Sequence, residues 1–221
     1  MEVFLDSKAQ ITAFFGGSFD PPHYGHLALA RGALASGKCG HIMWVPAFAP
    51  PHKLNSERAP FEDRMAMVDI LISKERGMSV SDIEASLAKQ PSYTIEILEA
   101  VEKINGSRPA LLIGADSLLQ LHTWCRGAEL AANYLILTYP RKGYEITAGA
   151  LAEFWDDRTI VEKLLSGVIP GRFFEISSSE IRNSMEKNGN AGNIKKMTDN
   201  VPEINAYIES HCLYGENKRK I

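Results

Sequence analysis

The segment Phe15-Gly16-Gly17-Ser18-Phe19-Asp20-Pro21-Pro22-His23-Tyr24-Gly25-His26-Leu27 limits what this chain can fold into more than any other part of it. Ile11 to Phe15 reads as a buried first strand, and Leu27, Ala30 and Leu34 recur at helical spacing, so a strand enters this turn and a helix leaves it. Gly16 and Gly17 are expected to let the backbone approach a ligand closely and to allow positive φ. Asp20-Pro21-Pro22 stiffens the turn and starts the helix, because proline suits the first helical position. With the helix beginning near Pro22, His23 and His26 lie three apart on one face of its first turn. They then sit beside free backbone N–H groups at the positive end of the helix dipole. A strand-to-helix turn is where an α/β protein meets a phosphate, and two imidazoles there suit an anion that gains charge during a reaction. Tight turns of this kind also use glycine for geometry alone, and it is the pair His23-x-x-His26 that gives this one a chemical reading. The dinucleotide pattern G-x-G-x-x-G is absent, and no G-K-[ST] follows the glycines as a Walker A loop would require.

Elsewhere apolar runs alternate with helical patterns. Strands are expected at Ile11–Phe15, His41–Val45, Met78–Asp82, Ala110–Ile113, Asn133–Thr138 and Arg172–Ile176. Phe61, Met65, Val68 and Ile72 mark a helix over Phe61–Lys74, and Ile95, Ile97, Leu98, Val101 and Ile104 mark another over Thr94–Asn105. This order predicts an α/β chain: a Rossmann-like, doubly wound, mostly parallel sheet with helices on both faces and the first turn at its crevice. At 221 residues and 45% hydrophobic content, one domain over 1–221 is expected, with C-terminal helices at about 177–214 packed on the sheet. Arg141–Gly171 reads as irregular, and Glu216–Ile221 as a frayed tail. A net charge of −3 gives no global field for nucleic acid. No run approaches a membrane span, and Met1–Gln10 is charged, without the apolar core of a signal peptide. Cys39, Cys125 and Cys212 are scattered and odd in number, which suits a reducing, cytoplasmic setting and shows no metal-ligand spacing. The sequence leaves open whether copies pair as a homo-oligomer through exposed helices.

A second chemical motif is Ile176-Ser177-Ser178-Ser179-Glu180-Ile181-Arg182. Ser177 and Glu180 have the spacing of a capping box. Ser178 and Arg182, four apart, share a face, so hydroxyls, backbone N–H groups and a guanidinium converge at a helix N-terminus as in a phosphate site. Gly114 permits close approach at a strand end, and Asp116 is expected to cap the next helix or to accept from ribose hydroxyls. Ser92-Tyr93-Thr94 opens a helix. The prolines of Pro46–Lys53 make a stiff, extended connection. Arg64, flanked by Glu62 and Asp63, reads as part of a solvated helix face.

The first motif resembles the signature G-G-[ST]-F-D-P-x-H-x-G-H of the nucleotidyltransferase superfamily with a histidine-x-glycine-histidine motif. The resemblance continues through Val45-Pro46, Pro50-Pro51-His52-Lys53, Ser92-Tyr93-Thr94, Ile113-Gly114-Ala115-Asp116-Ser117, Trp124, the Ser177–Arg182 motif and Val201-Pro202 to Leu213-Tyr214. Nearly the whole chain is covered, in the order found in bacterial nicotinate-nucleotide adenylyltransferases. The resemblance implies transfer of adenylate from ATP to nicotinate mononucleotide, giving deamido-NAD and pyrophosphate in NAD biosynthesis. It implies that Gly16, Gly17, Ser18, Phe19, His23 and His26 bind ATP from the first turn. Gly114 and Asp116 lie by the adenosine, and Ser178, Ser179 and Arg182 hold the outer phosphates. His23, His26 and Arg182 are the implied catalytic groups, and Lys53, Thr94 and Trp124 contact the second substrate. The resemblance implies that the loop Pro46–Lys53 borders the mononucleotide and triphosphate, which makes Lys53, and less so His52, a phosphate candidate. Mg²⁺ is expected to arrive with ATP, held mostly by phosphate oxygens and water, with no dedicated carboxylate cage. Ser18 and Ser179 stand where threonine is also common, which keeps the hydroxyl, whereas Cys125 replaces a frequent tyrosine. The same chemistry on nicotinamide mononucleotide or phosphopantetheine and a non-catalytic nucleotide sensor are the alternatives. Chain length and the Pro-Pro-His-Lys and Ser-Tyr-Thr segments speak against phosphopantetheine. A fragment of a class I aminoacyl-tRNA synthetase would share the histidine turn but needs a Lys-Met-Ser-Lys-Ser loop that is absent.

Overall fold

Five strands, β1 (Thr12–Gly17), β2 (His41–Pro46), β3 (Met78–Val80), β4 (Ala110–Gly114) and β5 (Ile136–Tyr139), form one sheet in the order β3-β2-β1-β4-β5. Every pairing in it is parallel. The computed structural model describes residues 11–48, 58–87, 92–170, 177–187 and 201–214. From β1 the chain winds outward through β2 to β3, then returns to the other side of β1 for β4 and β5. The winding therefore reverses between β1 and β4, and a crevice opens at their carboxyl ends.

The helices are α1 (Tyr24–Ala35), α2 (Phe61–Ile72), α3 (Ile83–Ser86), α4 (Thr94–Asn105), α5 (Ala115–Leu119), α6 (Gly127–Asn133), α7 (Ala148–Ala152), α8 (Arg158–Ser166), α9 (Ser178–Lys187) and α10 (Pro202–Ser210). Successive strand residues point to opposite faces, and both faces are buried, which is why the strands read as unbroken apolar runs. Ala13, Phe15, Ile42, Trp44 and Leu112 pack with Leu27 of α1, Met67 and Val68 of α2, and Ile204 and Ile208 of α10. On the other face Phe14, Val45, Leu111 and Ile136 pack with Leu98 of α4, Leu118 of α5, Leu130 of α6 and Leu164 of α8. This is the doubly wound α/β arrangement expected from the sequence. No helix among the described residues is long and apolar enough to cross a membrane.

Several local expectations shift. β1 runs on to Gly17, and β3 stops at Val80. Asn133 ends α6 instead of opening a strand, so β5 starts at Ile136. The stretch read as irregular contains α7 and α8, each started by a side-chain cap: Thr147 Oγ1 accepts from the Ala150 N–H at 3.1 Å, and Asp157 Oδ1 from the Thr159 N–H at 2.8 Å. α4 occupies the expected span and ends at Gly106, whose φ of +67° suits glycine. The expected strand Arg172–Ile176, the tail Glu216–Ile221 and the residues His52 and Lys53 lie outside the described residues.

Arg64 is the largest correction. It is buried within α2, at 3% exposure, instead of lying on a solvated face. Its Nε donates to the Ala59 carbonyl at 3.1 Å, one terminal nitrogen to the Ser18 carbonyl at 2.9 Å and the other to the Ala47 carbonyl at 2.7 Å. A planar fork of donors matches three carbonyls from three loops. Burial pushes its pKa below the usual guanidinium range, and Asp20 opposes that shift. Arg64→Ala is therefore expected to cost about 3 kcal/mol, because three backbone acceptors lose a charged donor. Arg64→Lys should recover little of it, since one ammonium does not span the fork. Urea unfolding of the two variants measures both values, and an Arg64→Ala loss below about 0.5 kcal/mol, the range of ordinary surface changes, would restore the solvated reading.

Candidate active site

The turn after β1 is built around an aromatic plug. Phe19 is 2% exposed, and its ring meets Phe15 at 5.4 Å, Trp44 at 5.1 Å and His26 at 5.2 Å between centroids. Phe19, with φ of +47°, is the turn's left-handed residue, and neither Gly16 nor Gly17 has positive φ. The glycines serve close packing instead. A Cβ on Gly17 would stand 2.9 Å from the Phe19 ring, and one on Gly16 would stand 2.7 Å from Phe14. Phe19 thus has only its backbone to offer a ligand, while its side chain supports His26 from below.

His23 is the N-cap of α1 and not part of its first turn, so the helix starts one residue after it, at Tyr24. His26 is then the third helical residue, and its Nδ1 accepts from the His23 backbone N–H at 3.3 Å. In the neutral ring the proton must therefore sit on Nε2, which leaves that N–H free to donate. The two imidazoles lie 3.7 Å apart between centroids. Burial lowers the His23 pKa to about 4, with the Arg141 charge adding to the effect. Burial also holds His26 well below the usual histidine value, followed by the effects of His23 and Arg141. The His23 side chain faces the His26 backbone N–H, the reciprocal half of a capping box, and the first turn of α1 carries no acidic side chain.

The second motif docks directly on this turn. Ser177 and Glu180 form the expected capping box: Glu180 Oε2 accepts from the Ser177 N–H at 3.1 Å, and Ser177 Oγ accepts from the Glu180 N–H at 3.2 Å. Ser178 Oγ donates to the Pro21 carbonyl at 2.9 Å. Arg182 donates to the Asp20 carbonyl at 2.5 Å and to Ser179 Oγ at 3.2 Å, and lies 3.7 Å from Asp20 Oδ2. Residues more than 150 positions apart are thereby brought to the same crevice. The Asp20 carboxylate itself is 2% exposed, and its Oδ1 accepts from the Ala59 N–H at 3.1 Å and the Tyr214 hydroxyl at 2.6 Å. Asp20 had passed in the sequence as a turn former.

Across the crevice, Gly114 is the N-cap of α5, so Asp116 lies in the first turn and does not cap it. Asp116 Oδ2 instead pairs with Arg141 at 2.5 Å. Arg141, a residue the sequence reading left in an irregular stretch, follows β5 and faces the same strand ends. A cation just past the carboxyl end of a parallel strand was the available signal. Gly16, Gly17, Thr94 and Trp124 line a hollow of about 180 Å³, together with Glu84 and Ser92. Of the sequence candidates, the structure thus gathers His23, His26, Ser178, Ser179 and Arg182 at the turn. Gly114 and Asp116 lie at the end of the neighbouring strand, and Thr94 and Trp124 line the hollow. Ser18 contributes its carbonyl to Arg64 and Phe19 its ring to the core. Among the described residues no three His, Cys, Asp or Glu side chains gather as a metal cage. The donor set, imidazole N–H, guanidinium and helix N-termini, suits an anion that brings its own cation.

A family model described as cytidylyltransferase-like matches residues 14–184. A protein of Solibacter usitatus, named "probable nicotinate-nucleotide adenylyltransferase", is 34% identical over 92% of this chain and 98% of its own. One of Gloeobacter violaceus with the same name is 35% identical over 90% and 94%. In fold, the chain is similar to a Plasmodium falciparum nicotinic acid mononucleotide adenylyltransferase complexed with APC, with a TM-score of 0.70, 20% identity, and 93% and 97% of the two chains covered. The same neighbour complexed with NaAD aligns with a TM-score of 0.68 over the same shares, again at 20% identity.

Neutral histidines have a stability consequence. Unfolded His23 titrates near its ordinary value of about 6.5 and folded His23 near 4. The unfolded chain therefore binds more protons in between, and stability falls as pH drops from about 6.5 toward 4. NMR titration should find the His23 ring neutral at pH 5.5, and His23→Asn should flatten the stability slope over that window. A ring that titrates near 6.5 would contradict the burial described here.

Proposed function

The chain belongs to the cytidylyltransferase-like family, and from that premise and the geometry of the turn we propose that it transfers adenylate from ATP to nicotinate mononucleotide. The products are deamido-NAD and pyrophosphate, in a step of NAD biosynthesis. The observation that carries the reading is the docking of Ser178 and Arg182 on the histidine-bearing turn, which brings a guanidinium, hydroxyls and two imidazoles to one strand-to-helix turn. The names of the curated relatives supply the acceptor.

An oxygen of the mononucleotide 5′-phosphate attacks the α-phosphorus of ATP. The bond from that phosphorus to the bridging oxygen of the β-phosphate breaks, and pyrophosphate leaves with the electron pair. The nucleophile is already an anion, so no strong base is needed, and catalysis rests on alignment and on stabilising charge at the transferring group. His26 Nε2–H donates to an α-phosphate oxygen, oriented by the bond its Nδ1 makes to the cap. His23 faces a neighbouring oxygen. Arg182 with Ser178 and Ser179 restrains the leaving pyrophosphate, and Lys53 is a further phosphate ligand. Gly16, Gly17, Ser18 and Phe19 approach ATP through their backbone, Gly114 and Asp116 border the adenosine, and Thr94 and Trp124 border the pyridine ring, with Trp124 offering an aromatic face. Magnesium carried by ATP supplies charge neutralisation and is held by phosphate oxygens and water, since the chain's own carboxylates at the turn are engaged elsewhere.

Pyrophosphate release with ATP and Mg²⁺, with nicotinate and nicotinamide mononucleotides offered separately, tests the reading. Clear preference for the nicotinate form is expected, and release with neither would reject the acceptor. His26→Ala should lower kcat by on the order of 10²–10³ with a smaller change in KM, because the lost contact acts on developing charge. Unaltered turnover would remove His26 from the mechanism. Arg182→Ala should raise KM for ATP as well as slow turnover, and if neither moved, α9 would be only a capped helix docked on the turn.

A further inference from the structure

Glu84 was not singled out by the sequence and plays no part in the chemistry above, yet it is a buried acid on the wall of the hollow that holds Thr94 and Trp124. It sits in α3, a single turn of helix between β3 and α4. Its Oε1 accepts from the Ser92 hydroxyl at 2.7 Å and from the Phe48 backbone N–H at 3.2 Å. Ser92 lies two residues before the start of α4, and Phe48 two residues beyond the end of β2. One carboxylate oxygen therefore joins the chain leaving β2 to the chain entering α4, and Ala47 of the first segment and Ser92 and Thr94 of the second all line the hollow.

We propose that Glu84 is a positioning residue for the acceptor nucleotide: its carboxylate clamps the segment around Phe48 to the start of α4 and so preforms the hollow that receives the pyridine end. The proposal rests on the function argued above and adds a residue to it. The Phe48 segment has other ties. The Ala47 N–H donates to the Gly17 carbonyl at 2.8 Å, the Ala47 carbonyl accepts from Arg64, and the Phe48 ring packs edge-on against Phe61. None of these reaches α4, whereas Glu84 does. An acid at 8% exposure needs donors to be kept there, so the clamp is closed in the folded protein before substrate arrives, and binding does not bear the cost of ordering these walls. At this wall of the hollow Glu84 bonds Ser92 and Phe48 and none of the groups placed at the transferring phosphate. Loosening this wall removes binding common to ground and transition states, which appears in KM for the acceptor and not in kcat.

The test is steady-state kinetics of Glu84→Ala, Glu84→Gln and Ser92→Ala, with amide exchange at Phe48 read separately. Two hydrogen bonds to a charged acceptor are lost in Glu84→Ala, so KM for nicotinate mononucleotide is expected to rise about tenfold or more, with KM for ATP and kcat nearly unchanged. Glu84→Gln keeps an acceptor oxygen and should recover most of the loss. Ser92→Ala, which removes one arm, should fall between. The Phe48 amide should exchange faster in Glu84→Ala. An unchanged KM for the acceptor in folded Glu84→Ala protein would overturn the proposal, and so would an equal rise in KM for ATP, which marks general damage. If the unmodified protein releases no pyrophosphate with either mononucleotide, the functional reading fails instead, and unaltered Phe48 exchange then decides against the clamp itself.

Discussion

A buried carboxylate cannot stay in the interior without donors, and Asp20 is such a group at the centre of the first turn. Its partners come from three places: the Ala59 N–H just before α2, the Tyr214 hydroxyl at the end of the described chain, and the Arg182 guanidinium on α9. Satisfying one side chain therefore pulls segments from across the sequence onto the strand-to-helix turn. Burial raises the Tyr214 pKa, with Asp20 adding to it, so the phenol stays protonated and keeps donating. Arg64 makes the complementary tie, donating to carbonyls of the same neighbourhood. An acid that gathers donors and a guanidinium that gathers acceptors hold the crevice from its two sides.

The same scaffold buries the two histidines of the turn and favours their neutral forms. Two buried imidazoles with centroids 3.7 Å apart, beside Arg141, are costly to protonate. Left neutral, they present N–H donors without repelling each other.

What could be read in the sequence was what depends on local spacing. The alternation of strands and helices, the histidine pair, the Ser177–Glu180 box and the span of α4 all follow from residues within a few positions of one another. Arg64 was misread because a periodicity argument counts arginine as polar, whereas its neighbours in the buried stripe, Met67, Val68, Leu71 and Ile72, show that it occupies a core position. Asp20, Glu84 and Arg141 escaped because each acts through a partner 25 to nearly 200 residues away in the chain. Phe19 carries the turn's positive φ against its own preference, and only the trap of aromatic rings around it, invisible in a linear reading, makes that tolerable. Thr147 and Asp157 did leave a local signal, a capping residue ahead of each short helix, which the irregular look of that stretch concealed.

The turn also shows that capping and chemistry are one arrangement. A helix N-terminus needs acceptors for its unpaired N–H groups, and a serine or aspartate usually supplies one. Here the acceptor for the cap residue's own N–H is His26 Nδ1. The same bond that closes the first turn of α1 fixes the tautomer of the ring, fixes its plane against Phe19, and leaves Nε2–H directed outward. A serine in place of His26 could serve the helix, and a histidine elsewhere could serve the phosphate, but only a histidine three residues past the cap does both with one side chain. The spacing His23-x-x-His26 is thus set by helix geometry first, and the face that the helix leaves free is the one the proposed reaction would use.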